Sequence, residues 1–178
     1  AEPDMVTYIS ISEITQTSIT LAEQSLEDGD FDSTKKFIEF ASKQFSNNLQ
    51  KLRDADASLT DEVHISLIDL QTKEIISENR STILSELNRI NELLDTVPED
   101  PEITPNVIVA HLIVVDQQYE NFEANDDEFS YQMSLGFMER ANQMFYSQTD
   151  YGERQKIEIE SFFNDMFDMV QNRDPYAS

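Results

Sequence analysis

Apolar residues recur along this chain at intervals of three and four, and the alternation typical of β-strands is hard to find. This spacing gives each successive segment one apolar face with the period of an α-helix. Glycine is scarce and the prolines cluster at a few points, so most of the chain runs without a strong breaker. The pattern predicts an all-α fold, an antiparallel helical bundle of six to seven helices.

Seven segments carry such a face, over about 5–27, 33–52, 63–70, 83–97, 105–124, 127–147 and 149–170. The second helix is expected to follow Asp32 as its N-cap, and the third a cap within 58–62. The fifth is apolar nearly all round in its first half, which predicts a central position. The seventh is predicted to bury Ile157, Phe162, Phe163, Met166, Phe167 and Val170.

The segment "PEDPEITP" at 98–105 is the strongest break in the chain. A cluster of prolines with threonine is typical of a connection that ends one helix and caps the next. It predicts an N-terminal bundle half over 1–97, a Pro-rich connector over 98–105, and a C-terminal half over 106–178 packed on the first.

Two sequence similarities occur in the same order in both halves. "FIEFASKQF" at 37–45 resembles "FMERANQMF" at 137–145, and "LAEQSLE" at 21–27 resembles "VVDQQYE" at 114–120. They favour a duplicated helical hairpin, whose copies would pack about a pseudo-twofold axis with their Phe/Ala faces inward.

Acidic residues outnumber basic ones 36 to 12, which gives a formal net charge of −24. Such a surface repels phosphate backbones and anionic lipid, so we expect no nucleic-acid partner. It attracts cations, and it suits a medium salty enough to screen its self-repulsion.

Catalysis finds little support in the sequence. With three glycines and two histidines, the chain has no phosphate-binding loop, no nucleophile elbow and few general bases. Pairs of carboxylates could still act as acid and base. We expect that the protein is not an enzyme.

The longest apolar run, "VIVAHLIVV" at 107–115, is shorter than the ~20 residues of a membrane span. We therefore expect no membrane-spanning segment. The opening "AEPDM" lacks an initiator methionine, as a chain does after removal of a signal peptide or a tag. It favours an extracellular or cell-surface location.

Three aspartates at alternate positions, Asp28, Asp30 and Asp32, precede Glu39 with the ligand spacing of an EF-hand loop. Loop positions six and eight, however, hold serine and lysine where an EF-hand has glycine and an apolar residue. The favoured alternative is a turn in which Gly29 ends one helix in the left-handed conformation and Asp32 caps the next. A calcium site is the second alternative.

A second acidic set, Asp116, Glu120 and Glu123, lies on the fifth predicted helix after His111. Spacings of four and three put the three carboxylates on one face, where they can bind a cation. Neither histidine follows a glutamate by three residues, as it does in the di-iron sites of helical bundles. A solvated acidic face with a histidine in the core is the favoured alternative.

The last two predicted helices interleave methionine with phenylalanine. Their spacing is that of a buried stripe, although a Met/Phe face can also serve as an adaptable groove for a protein partner, and thioethers can bind Cu(I). These helices hold five of the six methionines, Met133, Met138, Met144, Met166 and Met169.

The hairpin over 21–49, with the turn "EDGDF" and with Ala41 one helical turn after Phe37, resembles helical repeats of a known family. The family comprises the extracytosolic domains attached to high-affinity iron permeases, in which a Gly-Asp-aromatic turn joins two amphipathic helices. The resemblance implies an exported helical domain that handles or senses cations beside a membrane transporter. The family's Arg-Glu-x-x-Glu iron motif lies in its membrane helices and does not occur in this chain, so the resemblance assigns no metal ligand.

These patterns together predict a non-catalytic, acidic, exported or surface-associated helical module that binds a protein partner or loosely concentrates cations. The alternative is a specific metal-binding domain of an iron-uptake system, with Ca²⁺ or iron as the ion. The ligand and the oligomeric state stay open.

Overall fold

In the computed structural model, residues 2–148 and 152–173 are described, and every regular element within these two ranges is helical. The predicted all-α fold is confirmed. A 3₁₀ turn at Ser77–Asn79 precedes α5. The α-helices are α1 (Met5–Glu27), α2 (Phe31–Asn47), α3 (Leu49–Ala55), α4 (Ala57–Gln71), α5 (Arg80–Leu94), α6 (Thr104–Asn125), α7 (Glu128–Ser147) and α8 (Glu153–Gln171).

The described ranges hold eight α-helices instead of six to seven, because the second predicted helix is interrupted at Asn48. The Asn48 side chain donates from Nδ2 to the Gln44 carbonyl at 2.9 Å. The side-chain amide thereby replaces a main-chain N–H as the donor to one carbonyl in the last turn of α2. The main chain at Asn48 leaves helical geometry, with φ −118° and ψ 14°, and α3 begins at the next residue.

Four of the helices have an aspartate N-cap, whose carboxylate accepts a hydrogen bond from a main-chain N–H of the first turn. Two predicted caps are corrected: α2 starts after Asp30 instead of Asp32, and α4 starts before the predicted 58–62. An N-cap carboxylate accepts from the N–H two or three residues later, and that of Asp30 accepts from the Ser33 N–H at 3.1 Å. The caps of α1, α2, α4 and α7 are Asp4, Asp30, Asp56 and Asp127.

The chain divides into two compact units, and the boundary between Ile103 and Thr104 lies inside the predicted connector, 98–105. In the first unit, α1, α2, α4 and α5 form a closed circuit in which each helix packs against two neighbours. The short α3 packs against α1 and α4. This is a four-helix arrangement with one interior.

The apolar rows of α4 and α5 face this interior as predicted. Their members recur at intervals of three and four, so they stay on one side of each helix. All seven are almost completely buried: Val63, Leu67, Leu70, Ile83, Leu87, Ile90 and Leu94.

Helix α1 differs because it buries hydroxyl groups together with apolar side chains. The Ser18 hydroxyl donates to the Phe37 carbonyl of α2 at 2.8 Å. The hydroxyls of Ser25 and Thr34 lie 2.8 Å apart, also across this interface. Small polar side chains let α1 and α2 approach closely, and these hydrogen bonds satisfy the buried hydroxyls of Ser18, Ser25 and Thr34.

In the second unit, α7 packs against both α6 and α8. The predicted central position of α6 is therefore corrected within this unit, where α7 is the helix in contact with the other two. On the outer side of α6, Val109 and Ile113 are 55% and 52% exposed.

Helix α8 begins at Glu153, and residues 149–151, where its start was predicted, lie outside the described residues. Of the six residues predicted to be buried, Phe163 and Val170 are buried, whereas Ile157 and Phe162 are 67% and 47% exposed. The other two are half-buried. A helix that packs mainly against one neighbour buries only a single narrow face. The prediction that Ile157 and Phe162 are buried is therefore corrected.

Both units contain a hairpin of long helices, α1–α2 and α6–α7, where the two sequence similarities lie. In each hairpin a serine hydroxyl donates to a main-chain carbonyl of the partner helix: Ser18 to Phe37 at 2.8 Å and Ser134 to Val115 at 3.5 Å. Shared connectivity and one shared kind of contact do not establish a common origin, so the duplication stays a prediction.

Candidate functional site

The acidic turn between α1 and α2 is a three-residue helix connection. Gly29 adopts φ +77°, the left-handed conformation predicted for it. Both carboxylate oxygens of Asp30 accept hydrogen bonds from Ser33, whose N–H and hydroxyl donate at 3.1 and 2.7 Å. Asp28 directly follows α1, and Asp32 is exposed in the first turn of α2. The carboxylate of Asp30 is therefore engaged in starting α2.

Glu39, the fourth predicted calcium ligand, lies away from this turn. It is nine residues beyond Asp30 on α2, about 13 Å further along the helix axis. There it lines a shallow surface depression together with Lys35 and Lys73. Calcium ligands all lie within about 2.3–2.6 Å of the ion. The structure thus does not bring the four predicted carboxylates together.

A positive charge already lies beside the acidic turn. The Arg80 guanidinium, from the start of α5, is 5.2 Å from the centre of the Phe31 ring. Its Nη2 lies 3.2 Å from the point that a β-carbon on Gly29 would occupy. A guanidinium beside this turn disfavours a second cation there. Residue spacing does not reveal the position of Arg80, because this side chain reaches the turn from a helix that begins about fifty residues later.

The second predicted set, Asp116, Glu120 and Glu123, lies exposed along one face of α6. The shared face is therefore present as predicted. In residues 2–148 and 152–173, no group of three or more histidine, aspartate or glutamate side chains is placed to hold a metal ion.

His111 lies on the opposite, buried side of α6. Its Nδ1 donates to the Val107 carbonyl at 2.9 Å, and its ring centre is 5.3 Å from that of Phe137. Burial lowers the pKa of His111 from 6.5 to about 4, so the imidazole is neutral at neutral pH. It is the core histidine that the sequence favoured.

The Met/Phe face of α7 and α8 forms interior packing. Because α7 lies between two helices, its inward face is covered, and Phe163 of α8 stacks on Phe145 with ring centres 5.8 Å apart. The principal side chains of this face form the buried stripe that the spacing favoured, and they leave no open groove of the alternative kind. Those buried are Met133, Met138, Met144, Phe137 and Phe163.

A polar seam between α1 and α5 was not predicted. Asn91 donates from Nδ2 to Thr20 Oγ1 at 3.3 Å and to Glu23 Oε1 at 2.5 Å. Gln16 donates to the Asp95 carboxylate. Partial burial raises the pKa of Glu23, and the hydrogen bond from Asn91 opposes that rise. Polar residues in such a seam have the same spacing as solvated ones, so periodicity does not reveal them.

Arg173, just after the end of α8, forms an ion pair with Glu128 at the start of α7. Its Nη1 and Nη2 donate to the two carboxylate oxygens of Glu128 at 3.0 and 2.8 Å. The guanidinium also lies 4.1 Å from the centre of the Tyr131 ring. The hydrogen-bonded carboxylate of Glu128 raises the pKa of Arg173. These contacts hold α8 in the second unit.

No protein family, no curated protein sequence and no solved structure matches this chain. The similarity of the 21–49 hairpin to the domains of iron permeases therefore stays a prediction. Within the described residues, no helix combines the length and the apolar character needed to cross a membrane.

Proposed function

We propose that this chain is a non-catalytic, acidic helical module that binds a partner protein at an exported or cell-surface location. The observation that supports partner binding is a set of large apolar side chains exposed on helices of an otherwise acidic surface. Val109 and Ile113, one helical turn apart on α6, are both more than half exposed. Apolar side chains that share one helix face are typical of docking surfaces.

The non-catalytic part of the proposal is supported by the setting of His111. A catalytic general base needs access to substrate and a pKa near the working pH. His111 has neither, since it is enclosed by core side chains and burial lowers its pKa to about 4.

The proposal is tested by titrating the intact chain with three labelled peptides and measuring fluorescence anisotropy at about 0.15 M salt. The first is an amphipathic helix of leucine and lysine, the second has glutamate for lysine, and the third is a scrambled version of the first. We expect saturable one-to-one binding of the first peptide alone, because only it combines an apolar face with the opposite charge. Equal binding of the scrambled peptide, or no saturable binding, would contradict the proposal.

The alternative function, a specific metal-binding domain of an iron-uptake system, rests on the hairpin resemblance. A bound metal at 100 times its Kd stabilises the folded state by about 2.7 kcal/mol. Thermal melts with micromolar Ca²⁺, iron or copper therefore distinguish the two functions. A rise in Tm that sodium chloride of equal ionic strength does not reproduce would favour the metal site.

A further inference from the structure

Four residues of α6, Val109, Ile113, Asp116 and Glu120, form one exposed row, here called the α6 stripe. Their spacings of four, three and four keep them within about 60° of one another around the helix, and the row is about 16 Å long. These are the spacings by which one helix contacts another along a seam. The α6 stripe is therefore apolar in its first half and acidic in its second.

The apolar half presents two β-branched side chains to solvent. Val109 is 55% exposed and Ile113 is 52% exposed. They lie one helical turn apart on the same face. Covering both side chains would remove apolar surface from water, which is the main source of affinity in helix-in-groove contacts.

The acidic half carries two carboxylates that no other described residue pairs with. Asp116 and Glu120 are exposed, and neither makes an ion pair with another described residue. No lysine or arginine occurs in the fifty residues between Arg89 and Arg140. A partner with lysine or arginine opposite these carboxylates would gain attraction and a faster encounter.

The exposed pair on α4 differs in this respect. Ile65 and Ile68 are 67% and 46% exposed, yet the acidic residues of the same helix are already paired. Arg53 lies 2.8 Å from Asp61, and Arg89 lies 2.6 Å from Glu62. This face of α4 offers apolar contacts without unpaired negative charge, so it serves as a control surface.

We infer that the α6 stripe docks one basic amphipathic helix of a partner protein. This helix carries apolar side chains at i and i+4 to cover Val109 and Ile113. Lysine or arginine at i+7 and i+11 meets Asp116 and Glu120. The inference rests on the proposed function and specifies where the partner binds and what chemistry its binding helix has.

The test uses the intact chain and the leucine–lysine peptide, with leucine at i and i+4 and lysine at i+7 and i+11. One variant combines Val109→Ser with Ile113→Ser, and its matched control combines Ile65→Ser with Ile68→Ser. A charge variant combines Asp116→Asn with Glu120→Gln, and its control combines Asp165→Asn with Asp168→Asn on α8. All these positions are exposed, and circular dichroism melts confirm that each variant folds.

We expect the apolar α6 variant to raise the Kd about tenfold or more, because two covered side chains are lost. The charge variant raises the Kd less and flattens its dependence on salt concentration. Both controls stay within about twofold of the wild type.

Three outcomes would overturn the inference. If the α4 variant loses affinity and the α6 variants do not, the peptide binds elsewhere and the proposed function survives. If the wild type binds no peptide, the proposed function itself fails. If sedimentation shows a dimer without peptide that the apolar α6 variant dissociates, a second copy of the chain covers the α6 stripe.

Discussion

At the residue scale, His111 couples the stability of the second unit to pH. The imidazole is fully buried, and its Nδ1 proton is held by the Val107 carbonyl at 2.9 Å. Burial lowers its pKa to about 4 in the folded state, whereas in the unfolded chain the pKa is the ordinary 6.5. The unfolded state therefore binds the proton more readily at mildly acidic pH.

We predict that His111 destabilises the fold on acidification by up to about 3 kcal/mol. Its contribution to stability is complete above pH 6.5 and is lost as the pH falls from 6.5 towards 4, since only the unfolded chain is protonated in that window. Urea unfolding of the wild type and of His111→Gln at pH 7 and pH 4.5 measures the difference. Comparing the two proteins at each pH cancels the titration of the many carboxylates.

The matched control is His64→Gln, which removes the other histidine, half-buried on α4. It should keep the steep loss of stability that the wild type shows between pH 6.5 and 4.5. An equally steep loss in His111→Gln would exclude His111 as the cause.

At the scale of elements, the acidic turn supplies the N-cap of α2, and substitutions in it measure what this cap contributes to stability. Asp30→Ala should lower the free energy of unfolding by about 1 kcal/mol, because it removes the N-cap acceptor for Ser33. Asp32→Ala should lower the free energy of unfolding by only a few tenths of a kcal/mol. It removes a negative charge in the first turn that interacts favourably with the helix dipole. Urea denaturation at neutral pH measures both.

The substitution Asp30→Asn is the control, since an asparagine oxygen still accepts the capping hydrogen bond. It should cost clearly less than Asp30→Ala. Equal losses for Asp30→Ala and Asp32→Ala would mean that the cap is not the main role of Asp30.

At the scale of the whole molecule, the net charge of −24 opposes the compact state through self-repulsion. We expect the Tm to rise by a few degrees between about 0.01 M and 0.15 M sodium chloride, because the Debye length falls from about 30 to about 8 Å. Differential scanning calorimetry measures this shift. Potassium chloride at the same ionic strength should give the same curve, and a Tm that depends on the identity of the monovalent cation would contradict screening.

The sequence by itself determined the helices and most of their inward faces. The extent of α1, 5–27, was predicted as found, and the inward rows of α4 and α5 follow from their spacing. Both features are local: helix caps act over three residues, and the period of 3.6 fixes which side chains share a face. The acidic turn was likewise recognised from the glycine and aspartates within it, although the capping residue proved to be Asp30.

Only the tertiary structure decided which faces are covered and which side chains from distant helices meet. Periodicity gives the direction of an apolar row but not the number of neighbouring helices, so the exposure of Ile113 and Phe162 did not follow from it. Arg80 reaches the acidic turn from α5, and Asn91 reaches Glu23 of α1 across a helix interface. Such contacts depend on how helices pack, which residue spacing along the chain does not encode.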